Sequence, residues 1–129
     1  MTVELWMLFW AVVLTFVQVL IAVTGASTVL SPAKLAGNRE DAGAMEGWMG
    51  RAQRAHRNML ENLPLFAALV LIVHVAGAST ETSALGAEIF VFARIAYAVV
   101  YIIGIPWVRT ALWFVSVIGM VMVALPLFG

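Results

Sequence analysis

Two short stretches contain the residue types that could do chemistry. In "RAQRAHRNMLENLP", Arg51 to Pro64, a helix would place Arg54, then Arg57 or Asn58, then Glu61 on one face, because the spacing is i, i+3 or i+4, i+7. In "ARIAYAVVY" the same kind of spacing aligns Arg94, Tyr97 and Tyr101. Arginine grips a carboxylate through two parallel hydrogen bonds, a carboxylate holds an ammonium, and an asparagine amide donates or accepts. That set complements a small zwitterionic peptide. A tyrosine hydroxyl or an arginine beside a bound thiol would stabilise its thiolate, the nucleophilic form. Apolar walls alongside would hold a lipophilic electrophile close and gain rate by proximity.

The elements that must position these residues are apolar. The chain has 129 residues, 64% hydrophobic and 11% charged, with a mean hydropathy of +1.02, which points to one compact membrane domain. Apolar runs predict helices over about 3–30, 54–76, 84–105 and 107–128, each long enough for the roughly 20 residues that cross a bilayer core. The first run far exceeds the ~7–15-residue core of a secretory signal and carries Glu4 but no basic residue at its start, so it reads as a retained helix. A polar connection over 31–53 joins the first two helices, and "GAST" breaks the second from the third, with Thr80 or Thr82 available as a cap. Gly104 and Pro106 make the third connection very short, so the last two helices should be antiparallel neighbours. The expected fold class is an all-α integral membrane protein, an antiparallel up-down four-transmembrane-helix bundle.

Lys34, Arg39, Arg51, Arg54 and Arg57 lie in or beside the first connection, whereas the second has no basic residue. The positive-inside rule then makes the first and third connections cytoplasmic, with both termini on the far side. Trp6 and Trp10 near one face, and Trp48, Trp107 and Trp113 near the other, suit interfacial belts that anchor the bundle among membrane lipids. A bacterial inner membrane fits so small and loop-poor a chain, and a eukaryotic endoplasmic reticulum would satisfy the same physics. The formal net charge of zero argues against nucleic acid as a partner. The absence of cysteine excludes disulfides and thiolate metal sites, and no His/Glu spacing resembles a metal site.

From the cytoplasmic face, the helical rise of ~1.5 Å per residue puts Glu61 about 10 Å deep, Tyr101 about 6 Å, Tyr97 about 12 Å and Arg94 about 16 Å. Charges at such depth should face protein or a wet cavity. The two stripes therefore predict a polar pocket open to the cytoplasm. Plainer roles stand beside this one: Arg51 and Arg57 as interfacial anchors, Arg94 as a structural partner of Glu61, and Pro64 as a kink that frees the Leu60 carbonyl. His56 reads as a solvated interfacial residue and His74 as structural.

With these residues in view, "RAQRAHRNMLENLPLF" resembles the second-helix signature of the membrane-associated proteins in eicosanoid and glutathione metabolism, the MAPEG family. The family pattern, approximately Arg-Ala-x-x-Asn-x-x-Glu-x-x-Pro, falls on Arg54, Ala55, Asn58, Glu61 and Pro64. "FARIAYAVVYIIGIPWVRTALW" is similar to the family's third helix and the start of its fourth, so the resemblance covers nearly the whole chain. It implies a homotrimer with glutathione, as co-substrate, bound between protomers near the cytoplasmic face by Arg54, Asn58 and Glu61 of one protomer with Tyr97 and Tyr101 from the third helix; the polar stripe of that helix adds Arg94 as a candidate contact. It also implies transferase or peroxidase activity on a lipophilic small-molecule substrate. Lys34 lies roughly where some relatives carry a basic residue.

Two positions depart from the family. Leukotriene-conjugating relatives carry an arginine soon after the tyrosines, thought to activate the thiol, whereas here none follows Tyr101 until Arg109. Tyr101 and Arg109 are thus the candidate catalytic residues, with interfacial anchoring the simpler role for Arg109. Many relatives also have a tyrosine after the glutamate, where this chain has Asn62. The alternative function is a MAPEG-like protein that binds lipid or another ligand without turnover.

Overall fold

The computed structural model describes residues 1–28, 33, 37 and 46–129. Lys34, Arg39 and most of the expected polar connection lie outside the described residues. Among the described residues four long helices follow in order: α1 (Val3–Ser27), α2 (Gly47–Val75), α3 (Glu81–Ile103) and α4 (Pro106–Ala124), with a closing 3-10 turn at Leu125–Phe128. All four are long and apolar enough to cross a membrane.

α2 begins seven residues earlier than the expected start at 54. Its buried positions explain why. Ala52, Ala55, Met59, Asn62, Phe66, Val70 and Val73 recur at three and four residues, so one inward stripe runs through the polar first turns. Ala52 and Ala55 bury too little apolar surface to register in hydropathy, yet their size lets α2 pack closely. Pro64 lies within this continuous helix on its exposed side.

α1 has an inside-out pattern. Glu4, Thr15 and Gln18 are buried while Trp6, Phe9, Val12, Phe16 and Leu20 are exposed. In lipid this is the favourable sense, since apolar side chains meet acyl chains and polar ones find partners inside. The Thr15 hydroxyl donates to the Ala11 carbonyl at 2.8 Å. Glu4 accepts hydrogen bonds from the hydroxyls of Ser79 and Ser83, which ties the start of α1 to the start of α3.

Of the two candidate caps, Thr80 is the one used. Its side chain accepts from the Ser83 amide while Ser83 Oγ accepts from the Thr80 amide, a reciprocal capping box. At the opposite end of α1, Gly25 lies against Met49 and Trp48, so α1 and α2 run antiparallel and α1 and α3 parallel. Phe66 of α2 and Phe90 of α3, both fully buried, stack with ring centroids 4.0 Å apart at the centre of the core.

α3 and α4 form the closest pair. A Cβ on Gly86 would meet the Gly119 carbonyl oxygen at 2.6 Å, and a Cβ on Gly119 would meet the Gly86 carbonyl oxygen at 2.6 Å. The obstruction is backbone on both sides, so neither helix can yield by rotating a side chain. Alanine ordinarily favours a helix over glycine by up to ~1 kcal/mol. Here Gly86→Ala and Gly119→Ala should each instead destabilise, by about 1–3 kcal/mol, read as a lower unfolding midpoint in detergent; an unchanged or raised midpoint would contradict the close approach.

Candidate functional site

The site is built around the α3–α4 turn. α3 ends with Gly104 in the left-handed region at φ 97°, a conformation that glycine adopts without a Cβ penalty. Arg51 of α2 closes this end: its Nε donates to the Ile102 carbonyl at 2.8 Å, and its guanidinium lies against Gly104. A cation at a helix C-terminus satisfies an orphan carbonyl and complements the helix dipole. Arg51 is therefore a cap between elements, a role beyond interfacial anchoring.

Pro106 then starts α4 at its first helical position, and one turn later Arg109 comes back over α3. Its guanidinium carbon lies 4.5 Å from the centroid of the Tyr101 ring, within cation–π range. Tyr101 meets Tyr97 edge to face, with centroids 5.6 Å apart. The arginine that sequence spacing leaves eight residues beyond Tyr101 is thus in contact with it.

Arg54, Arg57, Asn58 and Glu61 of α2, Tyr97 and Tyr101 of α3, and Arg109 of α4 line one open, mainly polar cavity of about 270 Å³. An adjoining polar recess of about 160 Å³ shares Asn58, Tyr97 and Arg109 and adds Thr110 and Trp113. Three arginines against one glutamate make the larger cavity cationic, and its hydroxyl and amide groups are placed to orient an anionic or zwitterionic guest. Arg54, Arg57 and Glu61 are exposed, whereas Asn58, Tyr101 and Arg109 are half-buried and Tyr97 is buried.

Arg94 differs from the site expected of it. It lies outside the residues lining either space and is only 1% exposed. Instead of pairing with Glu61, its Nη2 donates to Asn58 Oδ1 at 2.7 Å, and its guanidinium stacks 4.2 Å above the Tyr97 ring. Its side chain points into the bundle behind Asn58.

Arg57, Thr110 and Trp113 line the site although only the expected stripe of α2 had pointed to one of them. Arg109 and Trp113 stand at i and i+4 on one helix face, a spacing visible in the sequence that places Trp113 on the recess rather than in a belt alone. Trp6, Trp10, Trp48 and Trp107 are exposed as belt residues require, whereas Trp113 is half-buried. His56 is half-buried and His74 exposed. Among the described residues no group of three or more His, Cys, Asp or Glu is arranged to hold a metal ion.

A second, apolar groove of about 480 Å³ lies between α1 and α3, lined by residues that include Met7, Trp10, Val17, Phe92 and Ile95.

Four helices long and apolar enough to cross a membrane, with a cationic, tyrosine-lined cavity between α2, α3 and α4, define an integral membrane protein. The MAPEG family model matches residues 3–128. The chain belongs to the MAPEG family, and is thus a membrane protein of eicosanoid and glutathione metabolism. No curated protein and no solved structure matches the chain.

The capping geometry separates two neighbouring arginines. Arg51→Met should lower stability by on the order of 1 kcal/mol through the lost cap, while Arg54→Met, which faces the cavity, should leave it within experimental error. Unfolding midpoints of the two variants in the same detergent check this, and equal losses would remove the distinction.

Proposed function

We propose that this protein is a glutathione-dependent transferase or peroxidase acting on lipophilic electrophiles, with glutathione held near the cytoplasmic face between protomers of a homotrimer. The supporting observation is the cavity at which Arg54, Arg57, Asn58, Glu61, Tyr97, Tyr101 and Arg109 meet. Its arginines complement the carboxylates of glutathione, Glu61 complements the ammonium, and Asn58 and the tyrosines suit the peptide groups between. A thiol held beside Tyr101 and Arg109 would give up its proton more readily, because the hydroxyl and the guanidinium stabilise the thiolate. In the transferase reaction the sulfur then attacks an electrophilic carbon, a C–S bond forms, and the electron pair leaves with the displaced group.

The exposure of Arg54, Arg57 and Glu61 supports the oligomer. An uncovered charge inside a membrane costs a few kcal/mol, so these side chains need water or a neighbouring protomer over them. The basic residues beside the first connection support a cytoplasmic site, with the first and third connections on that side, and the small, loop-poor chain fits a bacterial inner membrane. The groove between α1 and α3 provides apolar walls for a lipophilic substrate. The same groove favours a second reading: a non-enzymatic member that binds lipid or another ligand.

Glutathione titrated calorimetrically into the detergent-solubilised protein should bind saturably, and Arg54→Ala or Glu61→Ala should weaken binding at least about tenfold. Arg109→Ala should lower turnover of an electrophile such as a chlorodinitrobenzene more than it lowers affinity. No saturable binding to the folded wild-type protein would refute the proposal. Binding without turnover on any electrophile tested would select the second reading.

A further inference from the structure

Asn58 is the one amide lining both the larger cavity and its recess, and what it recognises depends on which end of the amide faces outward. Two groups of fixed polarity decide this. Arg94 can only donate, and its Nη2 lies 2.7 Å from the near atom of the Asn58 amide. The Asn58 backbone carbonyl can only accept, and the Asn62 side chain reaches it at 2.8 Å, so the end of Asn62 placed there is Nδ2. That same Nδ2 lies 3.1 Å from the near atom of the Asn58 amide. Two donors converge on one atom, which must therefore be Oδ1. Turning the amide over would set an NH₂ against both donors and leave a buried guanidinium without its bond.

We propose that Arg94 and Asn62 are positioning residues that lock the Asn58 side chain with Nδ2 toward the cavity, making Asn58 a dedicated donor to an acceptor oxygen of the ligand. Resting on the glutathione reading, this assigns Asn58 to a carboxylate or a peptide carbonyl of glutathione and excludes its ammonium. Arg94 acts through Asn58: it is 1% exposed, absent from the cavity wall, and braced on the Tyr97 ring at 4.2 Å. The lock also explains a cost the fold accepts. Arg94 Nε and Nη1 are buried without hydrogen-bond partners among the described residues, an expensive arrangement in a low-dielectric interior. Its one hydrogen bond and its ring contact are both spent on cavity-lining residues.

The experiment uses the full chain in detergent and compares wild type, Asn58→Asp, Asn58→Ala, Asn62→Leu, Arg94→Met and the Arg94→Met/Asn58→Ala double variant. Glutathione affinity and unfolding midpoint are read on each. An aspartate at position 58 still accepts from Arg94 and Asn62 but has no donor to offer. Asn58→Asp should therefore keep or raise the midpoint and yet lose at least about tenfold in affinity. A loss greater than that of Asn58→Ala identifies the ligand group as a carboxylate, by repulsion; an equal loss identifies a carbonyl. Arg94→Met and Asn62→Leu should weaken binding while Asn58 is present, and Arg94→Met should weaken it no further in the Asn58→Ala background.

Retained or tighter binding by Asn58→Asp would overturn the donor assignment while leaving the glutathione reading intact. Equal losses from Arg94→Met in both backgrounds would overturn its positioning role. Should the wild type fail to bind glutathione, the functional reading falls and the midpoints judge the lock alone. In that case a midpoint for Asn58→Asp as low as that of Asn58→Ala, or purely additive effects of Arg94→Met and Asn58→Ala, would overturn it. Asn62→Leu provides the milder test if Arg94→Met does not fold.

Discussion

The structure depends on satisfying polar groups inside a protein whose surroundings cannot do so. Outside the four helices the solvent is hydrocarbon, where an unpaired backbone or side-chain polar group costs several kcal/mol. Helices answer for the backbone, and the side chains sort by the same rule. Hence Glu4 turns inward to the serines that start α3, Thr15 returns its proton to its own helix, and Ser116 donates to the Trp113 carbonyl at 2.7 Å. Large apolar residues face out. The core is consequently small and partly polar, with close glycine contact between α3 and α4 contributing what bulky side chains would contribute in water.

This sorting makes the α3–α4 turn decisive for the site. A helix ending within reach of the membrane interior must cover its last carbonyls, and Arg51 does so from a different helix. Gly104 permits the chain to reverse in the space that remains, so that α4 starts beside the end of α3. One turn into α4, a guanidinium then falls on the face of Tyr101. An arginine in the first turn of a helix is opposed by the dipole, so neither capping nor dipole stabilisation accounts for Arg109. Its contact with Tyr101 and its place on the cavity wall do.

Much of this was legible in the sequence because membrane helices are marked by composition and polar stripes by period. Four spans, their order, a cap at either Thr80 or Thr82 and the convergence of Arg54, Asn58, Glu61, Tyr97 and Tyr101 follow from hydropathy, turn residues and 3.6-residue periodicity. The start of α2 was not legible, since its inward positions there are alanines among charges. The direction of Arg94 was not legible either. Linear spacing gives depth, but a helix with buried residues over a broad face, as α3 has from Ser83 to Ala98, leaves the azimuth of any one residue to packing. That Arg109 and Tyr101, both catalytic candidates, touch each other was not legible, because distance along a chain says little across a tight reversal.

The charged residues in and behind the site fall into two mechanical classes, and the division has a physical origin. Arg94 is held by burial, by the Tyr97 ring and by its hydrogen bond to Asn58, so it contributes a fixed geometry. Arg54, Arg57 and Glu61 are exposed on long side chains with many rotamers, and immobilising each on a ligand carries a side-chain entropy cost. A site made only of such arginines would bind anions readily and orient them poorly. A rigid amide donor between Arg54 and Glu61 supplies the orientation, because its single outward polarity defines which end of a zwitterion can lie against it. Long-range attraction and register are thus carried by different residues, the first at the open rim and the second braced from inside the bundle.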